Sequence, residues 1–291
     1  MTRGTYDVIL VGGGVMGCAT AYHLLRADAR LRVALIEMDS TYARASTTLS
    51  DGNIRVQFNI KENIQMSLYG LEVLARFTDE LAVDDDRPDP GFRQQGNLFV
   101  IDEASQAETR AGLALQQRLG GLVEWLSPAQ VHAAYPLYEN LDSCVGGTFG
   151  RQDGTMSPLA VLQAYRKKSI ALGAHFIQAE VAGLLHAGGR MAGVALASGE
   201  RLSAPAVVNA AGPWASKIAR TADVALPIIP TKRQVTSVEV AERPIASCRC
   251  CFSFRAILHA QGGGLFMIGK SFPDDPVGLD DFSWDRRNSR S

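Results

Sequence analysis

Residues Tyr6–Leu25 read YDVILVGGGVMGCATAYHLL, with Gly12, Gly13, Gly14 and Gly17 set inside an otherwise apolar run. Tyr6 to Val11 is β-branched and aliphatic, the composition of a strand buried on both faces. After Gly17, the residues Cys18, Ala19, Ala21, Leu24 and Leu25 suit a helix that begins with small side chains. Gly12, Gly14 and Gly17 between them follow the spacing G-x-G-x-x-G. In such a strand–turn–helix the first glycine makes the tight turn and the second lets a pyrophosphate touch the main chain. The third lets helix and strand pack closely. The helix N-terminus adds unpaired N–H groups and a partial positive charge that favour phosphate.

The motif gains weight from its downstream neighbours in the chain. LRVALIEMD (Leu31–Asp39) reads as a second buried strand, and Glu37 lies twenty residues beyond Gly17. That is the spacing expected of an acid that accepts from a ribose 2′-hydroxyl, and a carboxylate there repels a 2′-phosphate. As an isolated residue Glu37 would be a solvated charge at a strand end; strand, glycines, helix, strand and acid in order favour a dinucleotide.

Bulk properties narrow the rest. The chain has 291 residues, 46% of them hydrophobic, with a formal net charge of −1, so two domains are expected. Near-neutral charge offers no electrostatic attraction to nucleic acid or an anionic membrane. Asp7, Tyr22, His23 and the glycines argue against the opening run as a leader or a membrane span. Five cysteines in no disulfide-framework spacing point to a reducing compartment, and the cytoplasm is the expected location.

The glycines alone leave FAD and NAD open. After Glu37 the stretch STYARASTTLSDGNIRVQFN (Ser40–Asn59) is polar, where a nicotinamide enzyme would continue into another helix and strand. Ser46, Thr47 and Thr48 could line a longer cofactor, although composition alone would make this a surface loop. Further on, short apolar runs split by Ala187-Gly188-Gly189 and Ser198-Gly199-Glu200 read as an antiparallel meander. It leads to a buried strand, Ala206–Ala210, which runs into Gly212-Pro213-Trp214.

Together these segments resemble the FAD-dependent oxidoreductases of the glycine oxidase, D-amino-acid oxidase and sarcosine oxidase (beta-subunit-like) type. DVILVGGGVMGCATAYHLL resembles their N-terminal signature and ASTTLSDGNIRVQF their flavin-adjacent loop. QDGTMSPLAVLQAYRKKSIALGA, VVNAAGPWAS and PTKRQV resemble their later motifs, in the family's order. The resemblance implies an α/β fold: a Rossmann-like FAD-binding domain interleaved with a mixed-sheet α+β substrate domain. Residues 1–83 and 146–225 would form the first, 84–145 and 226–285 the second, and 286–291 a disordered tail. It implies FAD held by Gly12, Gly14 and Gly17 at the pyrophosphate and Glu37 at the ribose. Ser46 and Thr47 would contact phosphate or ribityl oxygens, the Val181 main chain the adenine, and Gly212 would lie beside the cofactor.

The implied reaction is oxidation of the C–N bond of an amino acid or N-methyl amino acid, with the imine then hydrolysed. The implied partners are that small molecule, an electron acceptor the sequence does not name, and a partner subunit. A substrate carboxylate calls for a cation, and arginine's fork suits it. Arg55, in the flavin-adjacent loop, is the catalytic-site candidate by analogy. Arg93, Arg233, Arg255 and Lys270 read as solvated or ion-paired, and His259 as structural. CRCC (Cys248, Cys250, Cys251) lacks further ligands at metal-site spacing, so no metal is expected.

Two departures stand out. Where monomeric sarcosine oxidases carry a lysine over the flavin, GGGLFMIGKSF offers Met267, with Lys270 displaced. This leans toward a dehydrogenase rather than an oxygen-using oxidase. The ending DDFSWDRRNSRS also comes before the C-terminal segment with which such enzymes close over the flavin. Competing readings are a flavin-binding assembly or scaffold protein with little turnover and, ranked last, an NAD-linked dehydrogenase.

Overall fold

In the computed structural model, which describes residues 4–136, 141, 143–241, 250–253, 256–262, 264–279 and 281–284, the opening stretch forms strand β1 (Val8–Val11) and helix α1 (Val15–Ala27). Strand β2 (Val33–Glu37) comes next. These belong to a four-stranded parallel sheet in the order Ala206–Asn209, β1, β2, His175–Gln178.

The unbroken apolar runs of β1 and β2 are explained by burial on both faces. Leu10, Val33 and Leu35 turn toward a helical layer, where they meet Tyr22 and Leu25 of α1 and Leu162 of the helix Pro158–Ala171. Ile9, Val11, Ala34 and Ile36 turn the other way, onto a three-stranded meander (Val181–Ala187, Arg190–Leu196, Arg201–Ser203) through Val181, Val194 and Leu202. Each large side chain buried in this way stabilises the fold by about 1.5–3 kcal/mol. In the helical layer Tyr165 lies edge-on to Tyr22, with ring centroids 5.4 Å apart, and joins the two helices.

A seven-stranded sheet forms the second layer system. Its order is Val235–Glu239, Leu265–Lys270, Ala256–Gly262, Cys250–Ser253, Asn97–Asp102, Cys144–Gly150, Val123–Leu126. The pairing of Cys250–Ser253 with Asn97–Asp102 is parallel and the other pairings are antiparallel, so the sheet is mixed. Local signals set its helices. Asp102 caps Glu103–Arg118 by accepting from the Ser105 N–H at 2.9 Å. Ser127 and Gln130 form a reciprocal capping box on Pro128–Ala134, with Pro128 in the first turn as the sequence suggests.

The expected switch between domains at residue 146 falls inside the strand Cys144–Gly150, which pairs on both sides within the large sheet. The chain leaves that sheet only after Gly150. There Gly154–Thr155 pairs with Asn53–Ile54, tying the two layer systems together. The expected tail, 286–291, lies outside the described residues. Among the described residues no helix is long and apolar enough to cross a membrane.

Candidate cofactor-binding site

β1 has β2 on one side and Ala206–Asn209 on the other, so the strand order reverses there. In parallel α/β sheets a crevice opens at the carboxyl ends of the strands at such a point. A cleft of about 1030 Å³, including space open to solvent, occupies that position. Gly12, Gly14, Glu37, Ser46, Thr47, Val181 and Gly212 all line it.

The glycines differ in what they do. Gly12 has φ +105°, and a Cβ there would stand 2.4 Å from the Ala210 carbonyl oxygen. Gly17 does not line the cleft; its Cβ would stand 1.9 Å from the Gly12 oxygen and 3.3 Å from Leu35 Cδ1. It is the contact that lets α1 lie against the turn. Gly14 is the N-cap of α1 and, being glycine, makes no side-chain cap of its own. A Cβ on Gly14 would meet only Thr47 Oγ1, at 3.4 Å, and otherwise project into the cleft. Among the described residues nothing therefore demands glycine at 14, whereas a ligand against the backbone would. Gly212 opens a 3₁₀ turn with φ +51° and is required by conformation rather than by crowding.

Glu37 is buried at the end of β2. Its Oε2 accepts from the Gly13 N–H at 2.7 Å and its Oε1 from the Asp39 N–H at 2.9 Å. The acid thus also holds the glycine turn in shape. A carboxylate offers about four acceptor positions, so the remaining ones can meet hydroxyls from the cleft. Thr47 Oγ1 accepts from the Val15 N–H at 3.2 Å, which fastens the polar loop to the start of α1.

Two cations at the cleft, Arg44 and Lys217, escaped the sequence reading. The Arg44 guanidinium lies 6.0 Å from the Trp214 ring and 5.8 Å from that of Phe282. Trp214 had a signal, since it directly follows Gly212-Pro213; Arg44 had none beyond its place in the loop. A helix start with glycine as its N-cap, a backbone open to approach, a buried acceptor and two cations together suit a dinucleotide diphosphate and its ribose.

Arg55 is not among the residues lining this cleft. Its guanidinium lies 4.6 Å from the Phe58 ring and 5.4 Å from the Phe99 ring, where the polar loop meets the large sheet. The other cations fall elsewhere. Arg233 pairs with Asp275 at 2.6 Å, and Lys270 is exposed with Nζ 5.4 Å from the Phe272 ring. Met267 and Lys270 are three residues apart on one strand and so occupy opposite faces. Cys248 and Arg255 lie outside the described residues. Cys250, Cys251 and His259 are described only as strand positions.

The family model for DAO, FAD dependent oxidoreductase, matches residues 7–289. The chain belongs to the FAD-dependent oxidoreductase family. The cofactor of this family is FAD, and the cleft is the part of the fold that suits its nucleotide half. "FAD-dependent oxidoreductase domain-containing protein 1" of Bos taurus is 34% identical over 79% of the chain, which spans 54% of the bovine protein. Mitochondrial sarcosine dehydrogenase of Mus musculus is 29% identical over 77% of the chain, which spans 24% of that enzyme. The fold matches L-proline dehydrogenase from P. horikoshii with a TM-score of 0.84 at 22% identity, over 99% of this chain and 75% of that one. The chain therefore spans little more than half the length of the bovine relative.

Proposed function

We propose that this FAD-dependent oxidoreductase oxidises the C–N bond of an amino acid or N-methyl amino acid. The observation that carries the reading is the glycine-capped start of α1, opening beside buried Glu37 into a cleft whose polar loop runs on to Arg55. Gly12 and Gly14 would admit the diphosphate, with the N–H groups of the first turn of α1 beyond Val15 donating to it. Glu37 would accept from the adenosine ribose, while Ser46 and Thr47 would contact phosphate or ribityl oxygens. The Val181 main chain would flank the adenine, and Gly212 the cofactor's other edge. FAD, when bound, supplies the hydride-accepting chemistry. The protein has to hold a neutral amine in place and bind a carboxylate, and Arg55 is the residue proposed for the carboxylate. Met267, in place of a lysine, favours an acceptor other than oxygen. The names of the sarcosine and L-proline dehydrogenases support this substrate class.

Purified protein loaded with FAD and kept anaerobic should lose its visible flavin band when N-methylglycine or another member of an amino-acid panel is added. Flavin that binds but stays oxidised across the panel would favour a scaffold role, and failure to bind FAD would overturn the assignment of the cleft.

A further inference from the structure

One carboxylate is buried away from the cleft. Asp153 is 0% exposed and sits in the turn where the chain leaves the large sheet. Its Oδ1 accepts from the Val56 N–H at 2.8 Å and its Oδ2 from Gln57 Nε2 at 2.8 Å. Both donors belong to the segment that carries Arg55. Gln57 Nε2 also donates to the Asn97 carbonyl at 3.0 Å. Asn97 and Asn53 exchange a reciprocal pair of side-chain hydrogen bonds, each 3.0 Å. The segment 53–57 is thus clamped on both sides of Arg55 to the first strand of the large sheet and to the turn at 153. Gly150 leaves the room needed: a Cβ there would stand 2.4 Å from Asp153 Oδ2.

Burying a charge is costly unless something compensates for it. A neutral amide offers one acceptor oxygen and could not take both donors, so the two oxygens of a carboxylate are what make this clamp possible. Burial pushes the Asp153 carboxyl up to about 6, opposed first by the hydrogen bonds from Gln57 and Val56 and then by the charge of Arg55. The guanidinium is itself placed against Phe58 and Phe99.

We propose that Asp153 is a positioning residue for Arg55, fixing the backbone that carries it through the Val56 N–H and the Gln57 side chain. This concerns the same site as the proposed function and rests on that reading for its catalytic meaning. The placement of Arg55 can be tested independently.

The test compares the wild-type protein with Asp153→Asn, which keeps volume and shape but turns one of the two accepting oxygens into a donor and so breaks an arm of the clamp. The rate at which phenylglyoxal modifies Arg55, located by peptide mass mapping, reports how firmly the guanidinium is held. Asp153→Asn should raise it about fivefold or more while leaving FAD content unchanged. An unchanged rate would overturn the proposal whatever the ligands do. If Asp153→Asn does not fold, Gln57→Met removes one arm of the clamp and should raise the rate about twofold; no change there also overturns it. On FAD-loaded protein, flavin-absorbance titrations with N-methylglycine and its methyl ester then separate the two readings. Arg55→Gln should erase any preference for the acid, and Asp153→Asn should reduce that preference about tenfold. A preference that survives Arg55→Gln would sink the carboxylate-anchor role and leave the labelling result standing.

Discussion

Gly14 and Gly17 are three residues apart, yet alanine at each should fail differently. At Gly17 a methyl would sit 1.9 Å from the Gly12 carbonyl oxygen, well inside ordinary contact distance, and the obstructing atom is backbone. Helix α1 would have to retreat by more than an ångström from the turn it packs on. Overpacking of this kind costs about 1–3 kcal/mol, and a rigid neighbour puts it at the upper end. For a chain of this size that corresponds to a fall in Tm of roughly 6–12 °C. At Gly14 the methyl meets only Thr47 Oγ1, at 3.4 Å. With φ −64° the backbone is unstrained, so the fold should lose less than about 1 kcal/mol, the scale of a poorer N-cap. The methyl would, however, fill the space in which a phosphate oxygen must come within about 2.9 Å of a main-chain nitrogen. Losing one charge-assisted hydrogen bond costs about 1.5–3 kcal/mol, or roughly a 10- to 150-fold rise in the Kd for FAD. Thermal melts of cofactor-free protein and calorimetric titration with FAD measure the two effects separately. If Gly14→Ala binds FAD like the wild type, or melts as low as Gly17→Ala, the division of labour among these glycines is wrong.

Glu37→Ala should act on both fold and binding, because the carboxylate accepts from Gly13 and Asp39 as well as facing the cleft. A loss of cofactor-free stability of about 1–3 kcal/mol is expected from two stranded backbone donors, read by urea unfolding, together with weaker FAD binding. Burial raises the Asp153 carboxyl to about 6 from an ordinary 3.8, so between those values the folded chain keeps a proton that the unfolded chain releases. This group's contribution to stability is therefore full below pH 4 and lost as pH rises through 6, a change of about 3 kcal/mol. Asp153→Asn should flatten that part of the stability profile, and an unaltered slope would show that the carboxylate is not the titrating group. Cys18 is buried, with its Sγ 3.0 Å from the Gly13 oxygen, and burial pushes its thiol up to about 12. Mass-mapped alkylation of the folded protein at pH 8 should leave Cys18 unmodified until denaturant is added.

How much of the molecule the sequence disclosed depends on how far apart the interacting residues lie along the chain. The turn at Gly12–Gly17 is local: its conformation depends on a few consecutive residues, and glycine spacing reports it directly. The capping box at Ser127 and Gln130 was legible for the same reason. β1 and β2 showed up as unbroken apolar runs because both of their faces are covered, one by helices and one by the meander. The placement of Glu37 needed only a count of residues along one βαβ unit. Asp153 carries no local mark: its donors, Val56 and Gln57, are about a hundred residues earlier in the chain. Its significance appears only once the large sheet brings Asn97 beside both. Arg44 is a parallel case, since its ring neighbours Trp214 and Phe282 come from distant segments. The sequence could therefore bring the glycine turn and Glu37 together at one cleft, because one supersecondary unit builds that part. It could not place the residues that orient Arg55, because long-range sheet pairing assembles them. A buried charge without a local motif is thus the feature most in need of a structure, and the place where substitution should be most informative.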